Sequence, residues 1–426
     1  MIRVAYHTLG CKVNQYETEK IREALETAGF ETVPFASPAD AYIINTCSVT
    51  SVADGKSRAA LRRALRLNPE AFVVVAGCYA ELEPDEIRAI EGVDLVVPNA
   101  EKDAIAERVM ARFITQSPRP HPNPLPQERG PRPRTRTRAV VKVQDGCDQF
   151  CSYCIVPHAR NRKRSRPIDE VLAEIRALAE FGHKEIVLTG IRLGAYGSGE
   201  SGGEGLAELI REASGIEGIE RVRLSSIEPW EVDEALLDAI DCPKVCRHLH
   251  IPLQSGDDEV LKRMNRPYTA ARYRQIVSEV RQRIPGIGIT TDVIVGFPGE
   301  SDDAFENTRA LIEEIGFSRL HVFRYSARKR TSAAFMSDQI PAQVKKRRAE
   351  NLIELGITAM RRFASSLVGE TVEVLVESQA KLPNHVTGFT DNYVETRLPG
   401  DAALQGRIVR VRITGVDREQ AIGDRQ

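Results

Sequence analysis

The sequence has almost no net charge. Its 59 lysines and arginines stand against 60 aspartates and glutamates, a formal −1. That excludes the broad attraction by which strongly basic proteins coat nucleic acid, so any such contact must come from local patches. Long apolar runs are also missing. No stretch approaches the ~18 consecutive apolar residues of a membrane helix, and the opening Met-Ile-Arg-Val-Ala-Tyr-His lacks the apolar segment of a signal peptide. Cysteine is sparse, at eight in 426 residues, too few for a disulfide framework. In an enzyme-sized chain, clustered cysteines read as metal-binding or catalytic. These absences predict a protein of the reducing cytoplasm with no membrane partner. What remains is ordinary for globular protein, 42% hydrophobic and 28% charged. The length predicts roughly two to four domains.

Three of the eight cysteines fall within eight residues. Cys147, Cys151 and Cys154 are spaced C-x3-C-x2-C. A structural zinc site wants four ligands, usually as two C-x2-C pairs. No fourth ligand follows at that spacing, and His158 is the only near candidate. A [4Fe–4S] cube takes thiolates at its iron corners. Three ligands leave one corner open, as catalysis at a metal requires. Cys242 and Cys246 form a separate C-x3-C with no third ligand near, and read as structural thiols.

Strand–loop–helix units repeat through the first third. Residues 2–8, 41–44 and 72–76 are β-prone, with helical periodicity after each. This predicts an open parallel sheet covered by helices. Asn14 reads as an N-cap with Glu17 completing a capping box. Cys11, Cys47 and Cys78 each fall one to three residues past a predicted strand end. In such a sheet those ends share one edge, where ligands bind. Three cysteines far apart in sequence should therefore converge, again without an obvious fourth.

Residues 115–138 hold seven prolines, six arginines and one acid, and read as an extended linker. Six strand–helix units then run from 139 to about 325. Their predicted strands are Ala139–Val143, Glu185–Thr189, Arg221–Ser225, His248–Leu253, Gly288–Val295 and Arg319–Phe323. That is too little chain for a closed eight-stranded barrel of ~250 residues and fits a partial (βα)6 barrel. Polar loops at its strand ends are site candidates, among them 225–229, 254–256 and 295–300. The run Arg160, Arg162, Lys163, Arg164 and Arg166 reads as an anion contact, for RNA phosphate or a ligand carboxylate, with Pro167 opening the next helix at its first position. Pro341 opens a long helix carrying Lys345-Lys346-Arg347-Arg348. After residue 366 short strands alternate, with Val409, Val411 and Ile413 opposed to Arg410 and Arg412. They predict a small β-barrel with one basic face. The architecture is thus α/β in four parts: a sheet domain 1–114, the linker 115–138, a barrel core 139–365 and a β-barrel 366–426.

The cysteine motif at 147–154 resembles the signature of the radical S-adenosylmethionine (SAM) enzymes. The segments Thr8-Leu9-Gly10-Cys11-Lys12-Val13-Asn14-Gln15-Tyr16-Glu17, Asn45-Thr46-Cys47 and Gly77-Cys78 resemble the N-terminal domain of the radical-SAM methylthiotransferases, and 248–256 and 291–300 resemble motifs of that family's core. The last domain resembles the RNA-binding TRAM module. Leu9–Glu17 is similar to the tRNA threonylcarbamoyladenosine (t6A) methylthiotransferase branch.

The resemblance implies two [4Fe–4S] clusters, one on Cys147, Cys151 and Cys154 and one on Cys11, Cys47 and Cys78. It implies SAM as cofactor, with Tyr153, Glu228, Gln254 and Glu300 as contacts, although Glu300 also suits a cap for the helix near Asp302. One SAM donates methyl and a second is the source of a radical that takes hydrogen from adenine C2, at position 37 beside the anticodon. The auxiliary cluster delivers the methylthio group. The partners implied are the tRNA anticodon loop, an electron donor of reductase or flavodoxin type, and a sulfur source. Two loops depart from the family pattern: Arg324 stands where proline is usual, and Arg330-Thr331-Ser332-Ala333 replaces Gly-Thr-Pro-Ala. At this point a methylthiotransferase for isopentenyladenosine tRNA or a ribosomal protein, and a non-enzymatic iron–sulfur carrier, remain open.

Overall fold

Three strands, Arg3–Thr8, Ala41–Thr46 and Phe72–Gly77, lie side by side at the centre of the N-terminal sheet. Ala41–Thr46 is buried at every position, as a strand covered on both faces must be. Short strands Glu31–Val33 and Leu95–Val97 complete a five-stranded, all-parallel sheet. The computed structural model describes residues 1–114, 136–198 and 205–426. The segment expected as a linker lies outside the described residues up to 135.

The first helix departs from expectation. It runs Lys12–Thr27 with Cys11 at its N-cap, and neither Asn14 nor Glu17 caps it. Both are buried within the helix. Their side chains are taken by tertiary partners, which outweigh a local capping box. Pro167 likewise sits at the N-cap rather than inside Ile168–Glu180.

Six parallel strands form the core: Ala139–Lys142, Glu185–Thr189, Arg221–Leu224, His248–His250, Gly288–Val295 and Arg319–Arg324. The first three and the last three pair as sheets. Bridges Val222↔Val245 and Ser226↔His250 join the two. Among the described residues the first and last strands do not pair, so the barrel is an open arc around a lumen. Ile186, Leu188, Val222, Leu224, Ile289 and Val293 belong to one buried core under the surrounding helices. In the last strand Leu320 and Val322 pack outward against that core. Alternation therefore puts Arg319, His321 and Phe323 on the lumen face.

Helix Ala342–Ser365 leads into a closed five-stranded barrel, Thr371–Gln379, His385–Thr390, Glu395–Pro399, Gln420–Arg425 and Ile408–Asp417 in spatial order. Val374, Val376, Leu398, Val411 and Ile413 fill it, while Arg410 and Arg412 face outward. This barrel closes the foot of the arc, at the N-terminal ends of its strands. Arg221 donates to the carbonyls of Phe389 and Glu373, at 3.2 and 2.9 Å. Arg223 donates to those of Asp391 and Thr390, at 3.0 and 3.1 Å. No helix of the described residues is long and apolar enough to cross a membrane.

Candidate active site

The sheet topology brings Cys11, Cys47 and Cys78 to the C-terminal ends of three adjacent strands. Gly10 makes the approach possible. It adopts φ +95°, and a Cβ there would stand 2.9 Å from the Cys47 Sγ. Cys47 and Cys78 are buried and Cys11 is exposed. Burial pushes the Cys47 thiol up to about 11, and the nearby Cys78 and Cys11 push the same way. Burial also raises Cys78, opposed by Arg160 and Lys102. Cys47 thus registers both other thiols, and Cys78 registers Cys11. Asn14 ties the strand ends together, donating from Nδ2 to the carbonyls of Leu9 and Thr46, at 2.8 and 2.9 Å.

The second triad sits on the loop after Ala139–Lys142. Gly146 adopts φ +78°, and a Cβ there would fall 2.0 Å from the Arg162 carbonyl oxygen, so only glycine fits. The loop is pinned from across the barrel: the Ser152 N–H donates to Met264 O at 3.0 Å, and Ala333 N–H to Ser152 O at 2.8 Å. Burial pushes Cys154 up to about 12, helped by Cys151 and then Cys147. Burial raises Cys147 also.

Each set offers three free thiols, the donor chemistry of an iron–sulfur cube with one open corner. Among the described residues no three His, Cys, Asp or Glu side chains close to the spacing of one metal ion. A lone zinc draws each sulfur to ~2.3 Å of one centre, whereas a cube's ligands attach at different iron corners.

The other expected residues cluster by the second triad. Tyr153 packs against the cluster of Val260, Met264, Phe297 and Tyr325. Glu228 is gripped by Arg266, and burial and Arg192 pull its neighbour Glu231 in opposite directions. Gln254 is held at φ +63°, 9% exposed, with its Oε1 buried and unpartnered. A polar atom orphaned at a strand end fits a hydrogen bond to an absent ligand. Glu300 is buried as well: its Oε2 accepts from Gly296 N at 2.7 Å and from Arg348 at 2.6 Å, while its Oε1, like that of Gln254, has no partner among the described residues. Ser301 caps the following helix. Sequence reasoning missed Arg266, whose guanidinium is 1% exposed. It donates to Cys151 Sγ at 3.4 Å and stacks 4.7 Å over Trp230. An isolated arginine in a turn carries no local signal of this.

Three ties bring the triads to one side of the molecule. Ile155 and Ala159, just past Cys154, pack against Cys78 and Leu82. Arg160, expected as an anion contact, is instead a buried latch. It donates to both Glu17 oxygens at 2.9 Å, to Asp145 at 2.7 Å and to Asn14 at 2.9 Å. Lys102 and Lys142 join it on Glu17, at 2.6 and 3.1 Å. Arg166 also turns inward, onto Glu174 at 2.7 Å. Arg162, Lys163 and Arg164 alone of that run are exposed. The loop departing from the family pattern supplies the third tie. Arg328 pairs with Asp54 and donates to Ser48, both at 2.7 Å, and Arg330 donates to the Leu82 carbonyl. In the run 345–348, Arg348 is likewise buried on Glu300, leaving Lys346 and Arg347 outward. Cys246 is a buried thiol raised to about 12 by burial, and Cys242 packs on the main core.

The lumen below is polar. Tyr393 of the terminal barrel stands with its ring 4.6 Å from that of His248 and 4.9 Å from the Arg223 guanidinium. Burial raises that phenol, but Arg138, Lys12 and Arg223 together bring it below its ordinary value. Burial, then Arg223, holds His248 well below its ordinary pKa and so neutral. His250 lies 3.2 Å from Asp292.

Comparison with known proteins agrees with this layout. The radical SAM superfamily matches residues 141–312, an N-terminal family described as Uncharacterized protein family UPF0004 matches 3–98, and the TRAM domain matches 365–424. The threonylcarbamoyladenosine tRNA methylthiotransferase MtaB of Bacillus subtilis is 41% identical over 97% of this chain and 94% of its own. The protein of the same name from Aquifex aeolicus is 36% identical over 97% and 100%. A tRNA-2-methylthio-N(6)-dimethylallyladenosine synthase from Acetivibrio thermocellus is 35% identical over 96% and 88%. Among solved structures, the radical S-adenosylmethionine methyltransferase TsrM of Kitasatospora setae shares the fold, with TM-score 0.56 and 18% identity over 78% of this chain and 77% of that one. Identity of this depth along the full length, through all three domains, means that the chain belongs to the radical SAM methylthiotransferase family.

Proposed function

We propose that the protein is a tRNA methylthiotransferase that replaces the C2 hydrogen of N6-threonylcarbamoyladenosine, at position 37 beside the anticodon, with a methylthio group. The observation that carries this is the full-length match to proteins of that name, at 41% identity in Bacillus subtilis. In this reading Cys147, Cys151 and Cys154 hold one [4Fe–4S] cluster and SAM, and Cys11, Cys47 and Cys78 hold a second. When bound, these groups supply the 5′-deoxyadenosyl radical and the methylthio group. The chain's own residues position and shield them. Tyr153 walls the SAM side, Gln254 offers its unpaired Oε1 to the adenosyl group, and Arg266 fixes Glu228 while donating to Cys151. Glu300 acts by pinning the Gly296–Gly299 loop against Arg348. The Arg160 and Arg328 ties keep the sheet domain over the barrel mouth and water out of the gap. The outward Arg410 and Arg412 of the TRAM barrel suit tRNA phosphates. The reading places the enzyme in the cytoplasm, with an electron donor of reductase or flavodoxin type and a sulfur source.

The test is anaerobic turnover by the reconstituted enzyme with SAM and reductant, on tRNA with and without the threonylcarbamoyl group, read by nucleoside mass spectrometry. Methylthiolation of the threonylcarbamoylated tRNA alone is expected. A product on dimethylallyladenosine tRNA or on a ribosomal protein instead refutes the substrate.

A further inference from the structure

Strand register gives the lumen wall a fixed order. In the last strand of the arc, Arg319, His321 and Phe323 share the inner face, since Leu320 and Val322 pack outward. On the neighbouring strand Ile289, Val293 and Val295 belong to the buried core, which leaves Thr290, Asp292 and Ile294 on the inner face. The two strands pair in parallel, Thr290 with Arg319, Asp292 with His321 and Ile294 with Phe323. Three rungs result: Phe323 and Ile294 near the mouth, His321 and Asp292 below them, and Arg319 and Thr290 at the foot. We propose that this wall is the nucleoside subsite: the target adenine stacks on Phe323, and its N6 substituent runs down past His321 and Asp292 to Arg319, which takes the terminal carboxylate. This deepens the proposed function and rests on it.

Each rung is open to a ligand on a wall that is itself fixed. Phe323 is 45% exposed although it faces inward, so its ring borders open space. His321 is exposed as well, with its ring 5.7 Å from that of His250. His250 is committed, to Thr290 at 2.9 Å and to Asp292 at 3.2 Å. The same Thr290 hydroxyl holds His248 at 3.0 Å. Arg319 is half-buried and makes no ion pair or hydrogen bond among the described residues, whereas Arg223 is bound to Glu185 at 2.6 Å. The upper end of the wall meets the site. The Gln254 N–H donates to the Asp292 carbonyl at 2.8 Å, and the Ile294 N–H to the Gln254 carbonyl at 2.9 Å. The top rung therefore adjoins the residue whose Oε1 is buried and unpartnered.

Dimensions and chemistry agree with this occupant. At ~3.3 Å per residue the Cα atoms of Arg319 and Phe323 stand ~13 Å apart, and a long arginine side chain covers about half of that. A threonylcarbamoyladenosine fills the rest in matching order: an aromatic ring, then a ureido group and a hydroxyl, then a carboxylate. Stacking on an aromatic face suits any base. The His–Asp rung supplies an imidazole and an acceptor for the ureido and hydroxyl groups. C2 and C6 flank one ring nitrogen, so an adenine with C2 at the mouth carries its N6 group away from it. A dimethylallyl group would meet the two lower rungs with no hydrogen-bonding atom to offer. A site built to hydrogen-bond a substrate rejects an analogue that leaves its polar groups unpaired.

Two other occupants compete for this wall: a tRNA phosphate on Arg319, and the adenine of SAM on Phe323. The test separates them. Binding of the anaerobic, cluster-reconstituted protein is measured, without SAM, for tRNAs carrying threonylcarbamoyladenosine, dimethylallyladenosine or unmodified adenosine, and separately for SAM alone. Wild type is expected to prefer threonylcarbamoylated over unmodified tRNA by about 10- to 100-fold, the range of a hydrogen bond to a charged group. Arg319→Met should bring that ratio close to one without weakening the other two tRNAs, and Arg319→Lys should retain part of it. Phe323→Ala should weaken all three tRNAs by a common factor of about 5- to 100-fold, the range of one lost base stack, with SAM binding intact, and Phe323→Tyr should not. The Arg319 ratio is internal to each protein and so is insensitive to partial loss of folding or iron. Arg319→Met that keeps the wild-type ratio, or weakens all three tRNAs equally as loss of a phosphate contact would, overturns the proposal. So does Phe323→Ala that weakens SAM and no tRNA, or a wild-type ratio near one. The function reading fails separately, if wild type binds with this preference yet leaves the threonylcarbamoylated tRNA without a methylthio group.

Discussion

Replacing Arg160 by methionine should loosen the sheet domain from the barrel, and by an amount the structure allows to be worked out. The guanidinium side chain is 1% exposed and pairs with Glu17 and Asp145. Methionine fills similar length without charge. Breaking a buried pair by removing one partner costs about 3–5 kcal/mol when a charge is left alone. Here Glu17 keeps Lys102 at 2.6 Å and Asp145 keeps Lys142 at 3.2 Å, so the lower end applies, about 3 kcal/mol. At roughly 2–4 °C per kcal/mol for bodies of this size, Tm should fall by about 6–12 °C. The pH dependence gives a second check. Burial raises the Glu17 pKa, but Lys102, Arg160 and Lys142 outweigh it and hold the carboxyl well below its ordinary 4.5. A depressed folded pKa means stability that is fully present above 4.5 and is lost as pH falls through the folded value. The gap between wild type and variant should therefore be full at pH 7 and shrink below about pH 4.5. The assay is calorimetric unfolding of the anaerobic protein at both pH values. A shift under about 2 °C at pH 7, or a gap unchanged on acidification, refutes the reasoning.

A protein carrying Cys11→Ala, Cys47→Ala and Cys78→Ala should retain about four irons per chain, one cube's worth, and still release 5′-deoxyadenosine while transferring no sulfur. A full iron load in elemental analysis would count against a second cluster there. Reversing the exposed charges with Arg410→Glu and Arg412→Glu should weaken tRNA binding about tenfold at low salt and flatten its salt dependence by roughly two phosphate contacts. Unchanged affinity across a salt titration would move the RNA surface elsewhere.

Much of the fold was legible because its signals are local. Gly288–Val295 and Glu185–Thr189 matched expectation residue for residue, since both are rich in β-branched residues and followed directly by glycine. His385–Thr390 and Gln420–Arg425 were not anticipated. They are interrupted by Gly388 and Gly423, and pairing within a closed barrel specifies them. Gly388 is there because a Cβ would fall 2.1 Å from the Leu375 carbonyl oxygen, a constraint no local pattern records.

The site divides along the same line. Covalent spacing keeps Cys147, Cys151 and Cys154 on one loop, and strand periodicity placed Cys11, Cys47 and Cys78 at one sheet edge, so the location of all six cysteines was legible in the sequence. It could not say what a charged side chain would face. Asn14 and Glu17 have the spacing of a capping box, and Arg160 and Arg348 sit in basic runs, yet all four are spent inside the protein. A helix cap or an exposed cation is stabilised by groups a few residues away or by water, which sequence can anticipate. A buried ion pair joins residues 143 positions apart, as Arg160 and Glu17 are, and forms only where two domains have already met. That meeting, decided by packing over the whole chain, is what the tertiary structure alone settled.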